Sequence, residues 1–164
     1  MNIFYLDKNP RKCAEYHCNK HVVKMILETA QLLCGAHHYH GNVAPYKKTH
    51  INHPSAIWTR ESLDNYKWLV ELGKELCREY TYRYSDDGKP PKVHKSQAII
   101  EWCESHLPKI ESKGITPIAL AMPDEYKSSN AVKSYRSYYI GEKNGILDYK
   151  RREKPQWIGK VKQS

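Results

Sequence analysis

The sequence predicts a mainly α-helical fold, a compact single domain with a long N-terminal helix and irregular connecting loops. Apolar residues recur at helical spacing in several segments. Helix-start dipeptides such as Asn9-Pro10 precede these segments, and glycine or proline follows them. The alternation of apolar and polar residues typical of β-strands is poor throughout. Because 164 residues suffice for one hydrophobic core, we expect a single domain over residues 1–164, with a basic tail from about residue 150.

The first helix is predicted to begin at Asn9-Pro10, an N-cap residue followed by proline at the first helical position. No glycine or proline occurs again before Gly35, which is the expected kind of stop. At about 100° per residue, the polar and ionisable side chains share an arc of about 100°, while apolar residues fill most of the remaining surface. This polar strip consists of Cys13, His17, Lys20, His21, Lys24, Glu28 and Gln31.

The polar strip has two interpretations. A solvated helix face is the simpler one. However, solvated faces usually mix several glutamates and lysines, whereas this strip holds two histidines and two lysines around one carboxylate, Glu28. Lys24 lies one helical turn before Glu28, and His21 lies two turns before it. The carboxylate could therefore lie at the floor of a basic cleft, as a general acid/base or charge-stabilising group would.

The remaining elements are predicted from the same signals. The N-terminal run from Met1 to Asp7 has the composition of a short buried strand or arm. Asp64 is a candidate cap, which allows a break in the second helical segment near Ser62. The predicted order after the first helix is a polar loop to about 52, helical sequence from 53 to 84, a loop at 85–91, a helix at about 94–106, irregular chain at 108–124 and a last helix from 131 to about 141.

The charge balance indicates an anionic partner. Lysine and arginine total 27 against 18 acidic residues, a formal net charge of +9. Such an excess usually reflects a polyphosphate chain, although a generally basic surface is the alternative. No uncharged run of about eighteen apolar residues occurs, so we expect no membrane contact. The N-terminus lacks a secretory layout, and five cysteines without a CxxC pair favour reduced thiols, so we expect a cytoplasmic protein.

Two other constellations suggest different chemistry. Cys13, His17 and His21 are spaced at four-residue intervals, but the outer two are about 12 Å apart along a helix, so at most a neighbouring pair could share one metal ion. The triplets beginning at His53 and His94 resemble the H-x-S elements of two-histidine phosphoesterases, yet both fall in helical sequence. No phosphate-binding glycine-rich loop or serine-hydrolase motif occurs, and we predict neither metal nor cofactor.

Basic and aromatic residues alternate near the C-terminus. Lys133, Arg136 and Tyr139 are predicted to project from one side of the last helix, which suits phosphate tracking and base stacking. The alternative is an amphipathic helix whose tyrosines belong to the core. The segment 150–162 could cross a phosphate backbone in the same way, or be a disordered end.

Three parts of the chain resemble the small phage and bacterial proteins grouped with pyrimidine-dimer DNA glycosylases of the endonuclease V type. The matching residues are Cys13-Ala14, Lys20-His21-Val22, Lys24, Glu28, Gln31-Leu32-Leu33, Asn52-His53-Pro54-Ser55-Ala56-Ile57-Trp58, the amphipathic segment through Leu69, Cys77, Arg78 and Tyr80 to Tyr84, and Lys154-Pro155-Gln156-Trp157. The likeness is good over about 10–34 and 50–84, and faint in the C-terminal third.

The resemblance implies a helical DNA glycosylase, with AP-lyase activity in the family's mechanism, that acts on damaged bases in double-stranded DNA. In that family an amine attacks the sugar C1′ to form an imine, and a glutamate on the first long helix supports the chemistry; Glu28 matches that glutamate. Two departures stand out. The family nucleophile is the α-amine of a small second residue, whereas Asn2 is bulky enough to leave Met1 in place, so the amine would be that of Met1, or Lys24 or Lys20 would act instead. In addition, Leu27 stands where the family has arginine.

Together these observations define the candidate site. The catalytic candidates are Glu28, Lys24, His21 and Met1, and the substrate-binding candidates are Lys20, Gln31, His53, Trp58, Lys133, Arg136, Tyr139 and Trp157. Two alternatives remain at this point. One is a nucleic-acid-binding phage protein without catalysis, and the other is an enzyme of the same fold that acts on another nucleobase or nucleotide.

Overall fold

The structure is a computed structural model that describes residues 1–159. Within that range it contains seven α-helices and no β-strand, so the mainly α-helical prediction is confirmed. The helices are α1 (Pro10–Tyr16), α2 (Asn19–Tyr39), α3 (Pro54–Glu61), α4 (Leu63–Tyr84), α5 (Gln97–Ser105), α6 (Ala131–Glu142) and α7 (Gln156–Gly159), with 3-10 turns at Asp124–Tyr126 and Asn144–Ile146. In the described part of the chain, no helix combines the length and apolarity needed to cross a bilayer.

The predicted single N-terminal helix is wrong, because the chain divides into α1 and α2 at His17 and Cys18. Both residues have extended backbone conformations. Distant side chains satisfy the polar groups that this break frees: Arg83 donates to the carbonyl of His17 at 2.8 Å, and the Tyr139 hydroxyl accepts from the Cys18 N–H at 3.0 Å. Long-range hydrogen bonds therefore replace the helical ones here.

Some of the other helix boundaries lie where local sequence signals predict them, and some do not. Asn9 caps α1 as predicted, accepting from the Lys12 N–H. The predicted stop at Gly35 is wrong, since α2 continues to Tyr39 and Gly35 is buried within it. The predicted break in the second segment is confirmed, but its cap is Ser62, which accepts from the N–H of Asp64.

The core forms where α2 and α4 pack together, with α1, α3 and α5 around them. The apolar face of α2, including Met25, Ile26 and Leu33, is buried against α4 residues such as Leu69 and Leu72. The N-terminal arm (residues 1–7) has no regular secondary structure and lies in this assembly with Ile3, Phe4 and Leu6 buried. The first residue of the chain is thereby held against the interior.

Candidate active site

The α-amine of Met1 lies against the carboxylate of Glu28, with its nitrogen 3.2 Å from Oε1. The Glu28 side chain is 11% exposed, and the Met1 side chain is only 4% exposed although the residue as a whole is half-buried. The accessible surface of Met1 therefore belongs mainly to its main chain. The pair combines a potential nucleophile with a potential proton acceptor at the edge of the core.

The arm reaches Glu28 because it runs antiparallel to α2 in a matching register. The ring of Phe4 stacks on His21, with centroids 4.4 Å apart and planes inclined by 26°. Seven helical residues separate His21 from Glu28, a rise of about 10.5 Å. Three extended residues separate Phe4 from Met1, which span about 10 Å. The two lengths agree, so anchoring Phe4 at His21 brings the amine to Glu28.

Lys24 contacts the other oxygen of the same carboxylate. Its Nζ lies 3.7 Å from Glu28 Oε2, one turn earlier on α2, and its side chain is 69% exposed. Glu28 thus lies between the α-amine of Met1 and the solvent-facing ammonium of Lys24. Lys24 is the solvent-facing member of the group, whereas the Glu28 side chain is 11% exposed.

His53 lies at the N-cap of α3, close enough to interact electrostatically with both members of the pair. Burial lowers the pKa of His53, the positive charge of the N-terminal amine lowers it further, and Glu28 acts in the opposite direction. Nδ1 accepts from the Ser55 N–H at 3.0 Å, so in the neutral ring the proton is on Nε2. His53 therefore supplies a neutral imidazole beside the amine at neutral pH.

A shallow depression of about 260 Å³ begins at Pro54, which directly follows His53 in the chain. Its lining is mainly apolar with one exposed carboxylate, and consists of Pro54, Ile57, Trp58, Glu61, Pro117 and Ala119. A mainly apolar surface suits the face of a planar ring.

His21 anchors the arm and does not touch Glu28. Besides stacking on Phe4, its Nδ1 lies 2.8 Å from the Tyr139 hydroxyl. Burial lowers its pKa to about 3, and the charges of His17, Lys143 and Lys24 contribute in the same direction. The imidazole is therefore neutral at physiological pH, and its role in this site is to hold the arm.

Two predicted substrate-binding residues, Trp58 and Tyr139, are buried, and a third, Arg136, is bound to the N-terminal arm. Trp58 is buried and donates from Nε1 to the Thr116 carbonyl at 3.0 Å. Tyr139 is also buried, so neither ring offers a surface for a base to stack on. Arg136 donates to the Leu6 carbonyl at 2.9 Å and pairs with Asp7 at 3.2 Å, so its guanidinium holds the arm.

The other predicted binding residues lie at the surface or at its edge. Lys20 and Lys133 are exposed, and Gln31 is half-buried one turn beyond Glu28 on α2. Trp157 is half-buried and packs edge-on against Tyr16, with centroids 5.8 Å apart. The part of the predicted basic tail from 160 to 162 lies outside the described residues.

The alternative constellations have local explanations. Over residues 1–159, no group of three or more histidine, cysteine, aspartate or glutamate side chains is placed to hold a metal ion. The two H-x-S triplets make the same local hydrogen bond, in which Nδ1 of His53 or His94 accepts from the serine N–H two residues later; at His53 this bond caps α3. His94 Nε2 is also engaged, with the Val23 carbonyl at 3.0 Å.

The part of the chain that contains this group matches a protein family. A family model described as "Pyrimidine dimer DNA glycosylase" matches residues 1–89, more than half of the chain. The chain belongs to this family. No curated protein and no solved structure gave a match. The matched range contains Met1, Lys24, Glu28 and His53, so the whole group around the amine falls within the family region, and DNA is the substrate of such glycosylases.

Sequence reasoning missed the residues that hold the arm. Asn2 was considered only for its bulk, yet its amide bonds to the Ala121 carbonyl at 2.9 Å. Phe4 had no predicted role, and Tyr135 was predicted only to lie beside Lys133 and Arg136 on the last helix, although both contact the arm or belong to it. A polar amide at the second position of an otherwise apolar run was the signal that could have identified this role.

Proposed function

We propose that this protein is a DNA glycosylase that excises damaged bases from duplex DNA, with the α-amine of Met1 as nucleophile and Glu28 as its acid/base partner. Pyrimidine dimers are the first substrate to test, because the family is described by that activity. The observation that carries the proposal is the 3.2 Å contact between the Met1 nitrogen and Glu28 Oε1.

The proposed reaction needs a neutral amine next to a carboxylate. α-Amines ordinarily have a pKa near 8, against about 10.4 for lysine side chains, so a larger fraction of an α-amine is neutral at physiological pH. The neutral nitrogen forms a bond to the sugar C1′, and the electron pair of the glycosidic bond leaves with the base, which takes up a proton. After the attack, the attached nitrogen gives up one proton to the Glu28 carboxylate. Glu28 then delivers that proton to the ring oxygen as the bond between C1′ and this oxygen breaks, which leaves an iminium between Met1 and C1′.

Retention of Met1 is part of the proposal. Asn2 is too bulky for efficient removal of the initiator methionine, and the Met1 side chain is almost completely buried. A charged carboxylate near C1′ also stabilises the positive charge that develops on the sugar as the base leaves. The AP-lyase step would follow from the same iminium by elimination of the 3′ phosphate.

Borohydride trapping tests the nucleophile directly, because reduction of the iminium links the sugar permanently to the attacking amine. Wild-type protein is incubated with UV-irradiated duplex and borohydride, and the adduct is mapped by proteolysis and mass spectrometry. We expect the adduct on the N-terminal peptide. An adduct confined to a peptide containing Lys20 or Lys24 would show that the nucleophile is assigned wrongly.

Glu28→Gln should reduce trapping by at least about a hundredfold, as removal of a general acid/base usually does. Glu71→Gln is the matched control, because Glu71 is on α4 and its side chain is half exposed. Equal trapping by Glu28→Gln and the wild type would remove Glu28 from the mechanism. Salt-sensitive duplex binding without any adduct would instead favour the non-catalytic alternative.

A further inference from the structure

The hydroxyl of Tyr135 lies at the centre of a buried hydrogen-bonded cluster around the side chain of Asn2, called here the Asn2 cluster. It is 3.2 Å from Asn2 Oδ1, donates to the Ala119 carbonyl at 2.6 Å, and accepts from the Ala121 N–H at 3.3 Å. Tyr135 is completely buried on α6. Three distant parts of the chain, the arm, the 119–121 segment and α6, therefore meet at one oxygen atom.

Both polar ends of the Asn2 side chain are used in this cluster. Nδ2 donates to the Ala121 carbonyl at 2.9 Å, and Oδ1 accepts from the Ile3 N–H at 2.8 Å besides lying beside the Tyr135 hydroxyl. Asn2 is the residue directly bonded to Met1. Its side chain thus restrains the backbone one peptide unit from the amine.

The Phe4 stack alone would not hold the amine in place. The backbone from Met1 to Ile3 has soft dihedrals, so an arm anchored only at Phe4 could move its first residue by several ångströms. The buried side chains of Met1 and Ile3 remove part of that freedom, and the hydrogen bonds of the Asn2 cluster add a directional restraint one peptide unit from the amine before substrate arrives. Pre-ordering of a reacting group lowers the entropic cost of reaching the reactive geometry.

We propose that Tyr135 is a positioning residue for the Met1 amine, acting through Asn2 to keep the nucleophile beside Glu28. This inference rests on the proposed function, since it concerns the same nucleophile. Tyr135 itself is buried and touches neither the amine nor a substrate, so its effect is confined to the geometry of the arm. Its loss should slow the chemical step without weakening the binding of duplex DNA.

Tyr135→Phe is the principal test. The ring stays in place, and water can replace the hydroxyl at Ala119 and Ala121 because both residues are half-buried. We expect the single-turnover trapping rate on UV-irradiated duplex to fall by about tenfold to a hundredfold, as for a small misplacement of a reacting group. The dissociation constant for the same duplex should be unchanged.

Tyr149→Phe is the matched control. The Tyr149 hydroxyl also makes a short hydrogen bond to a backbone carbonyl, that of Tyr16 at 2.6 Å, but this hydroxyl lies outside the Asn2 cluster. Both variants lose one tyrosine hydroxyl and should lose similar stability in urea. Only Tyr135→Phe should lose trapping rate, and an equal rate loss in the two variants would overturn the proposal.

Asn2→Leu tests whether Tyr135 acts through Asn2. Leucine is also bulky enough to retain Met1, so the nucleophile is unchanged and only the cluster is lost. If Tyr135 acts only through Asn2, the trapping rate of the double variant should be no lower than that of the slower single variant. Fully additive rate losses, or a wild-type rate in Tyr135→Phe, would show that Tyr135 does not act in this way.

A second readout separates failure of this inference from failure of the proposed function. Brief acylation of the protein, read by mass spectrometry, measures the accessibility of the Met1 amine without any substrate. Looser positioning predicts faster labelling of Met1 in Tyr135→Phe than in Tyr149→Phe, and equal labelling refutes the positioning role. If the wild type forms no adduct while labelling changes as expected, the proposed function fails and the positioning of the amine stands.

Discussion

The register of the N-terminal arm makes a quantitative prediction about the length of the chain before Asn2. Inserting a glycine codon after the initiator codon gives a chain whose methionine is removed, so that glycine occupies the place of Met1 and the amine keeps its position. Inserting alanine and glycine gives a processed chain that is one residue longer. One extended residue spans about 3.3–3.6 Å.

The expected magnitudes follow from the contact at Glu28. In the same-length variant the amine stays at about the present 3.2 Å from Oε1, and the chain loses only the buried Met1 side chain. Loss of that burial costs about 1.5–3 kcal/mol of stability. In the longer variant the amine moves to roughly 6–7 Å from the carboxylate, beyond direct hydrogen-bond reach. Trapping should then fall by about a hundredfold or more.

The assay is single-turnover borohydride trapping on UV-irradiated duplex, after mass spectrometry has confirmed each N-terminus. The same-length variant is the control for the altered sequence, because both variants lose the Met1 side chain. Trapping in the same-length variant and its loss in the longer one would support the register. Equal rates in the two variants would refute it, since the amine would then not need its place beside Glu28.

Two further predictions concern stability. Burial lowers the pKa of His17 to about 4 and that of His21 to about 3, so below pH 6.5 the unfolded chain takes up protons that the folded protein does not; stability should fall by about 2 kcal/mol per histidine between pH 7 and 5. A flat profile of urea midpoints over this range would contradict that reasoning. Arg83→Ala should cost about 3–5 kcal/mol in urea unfolding, because it removes a completely buried side chain that pairs with Glu79 and donates to the carbonyls of Glu15 and His17, even though Arg152 still pairs with Glu79. Arg78→Ala, at an exposed pair, should cost under about 1 kcal/mol. Similar losses in the two variants would show that burial does not strengthen the Arg83 contribution.

Much of the helical architecture was predictable because helix signals are local. The cap at Asn9, the break near Ser62 and the span of α6 all follow from residues within a few positions of each boundary. The break between α1 and α2 was not predictable in this way. It depends on Arg83 and Tyr139, which come from α4 and α6 and satisfy the groups left by the interrupted helix.

Side-chain environments within the predicted helices were likewise predictable only in part. Periodicity put His21, Lys24 and Glu28 on one strip, but only packing shows that His21 is covered by Phe4 while Lys24 faces solvent. Tyr139 has the composition of a stacking residue, yet it is buried against α2. A residue type with both apolar and polar character suits either environment, so sequence spacing cannot choose between them.

By itself, the sequence determined that the chain is helical and that it carries a large positive charge, and it predicted Glu28 as the acid of the site. Lys24 was predictable as a neighbour of Glu28 one turn away, whereas only the tertiary structure placed the Met1 amine at the other carboxylate oxygen. Hydrophobic spacing reports the period of a single helix, whereas the contact between Met1 and Glu28 requires the arm, α2 and the Asn2 cluster to pack in one register. That register arises from contacts between residues far apart in the chain, which local patterns do not encode.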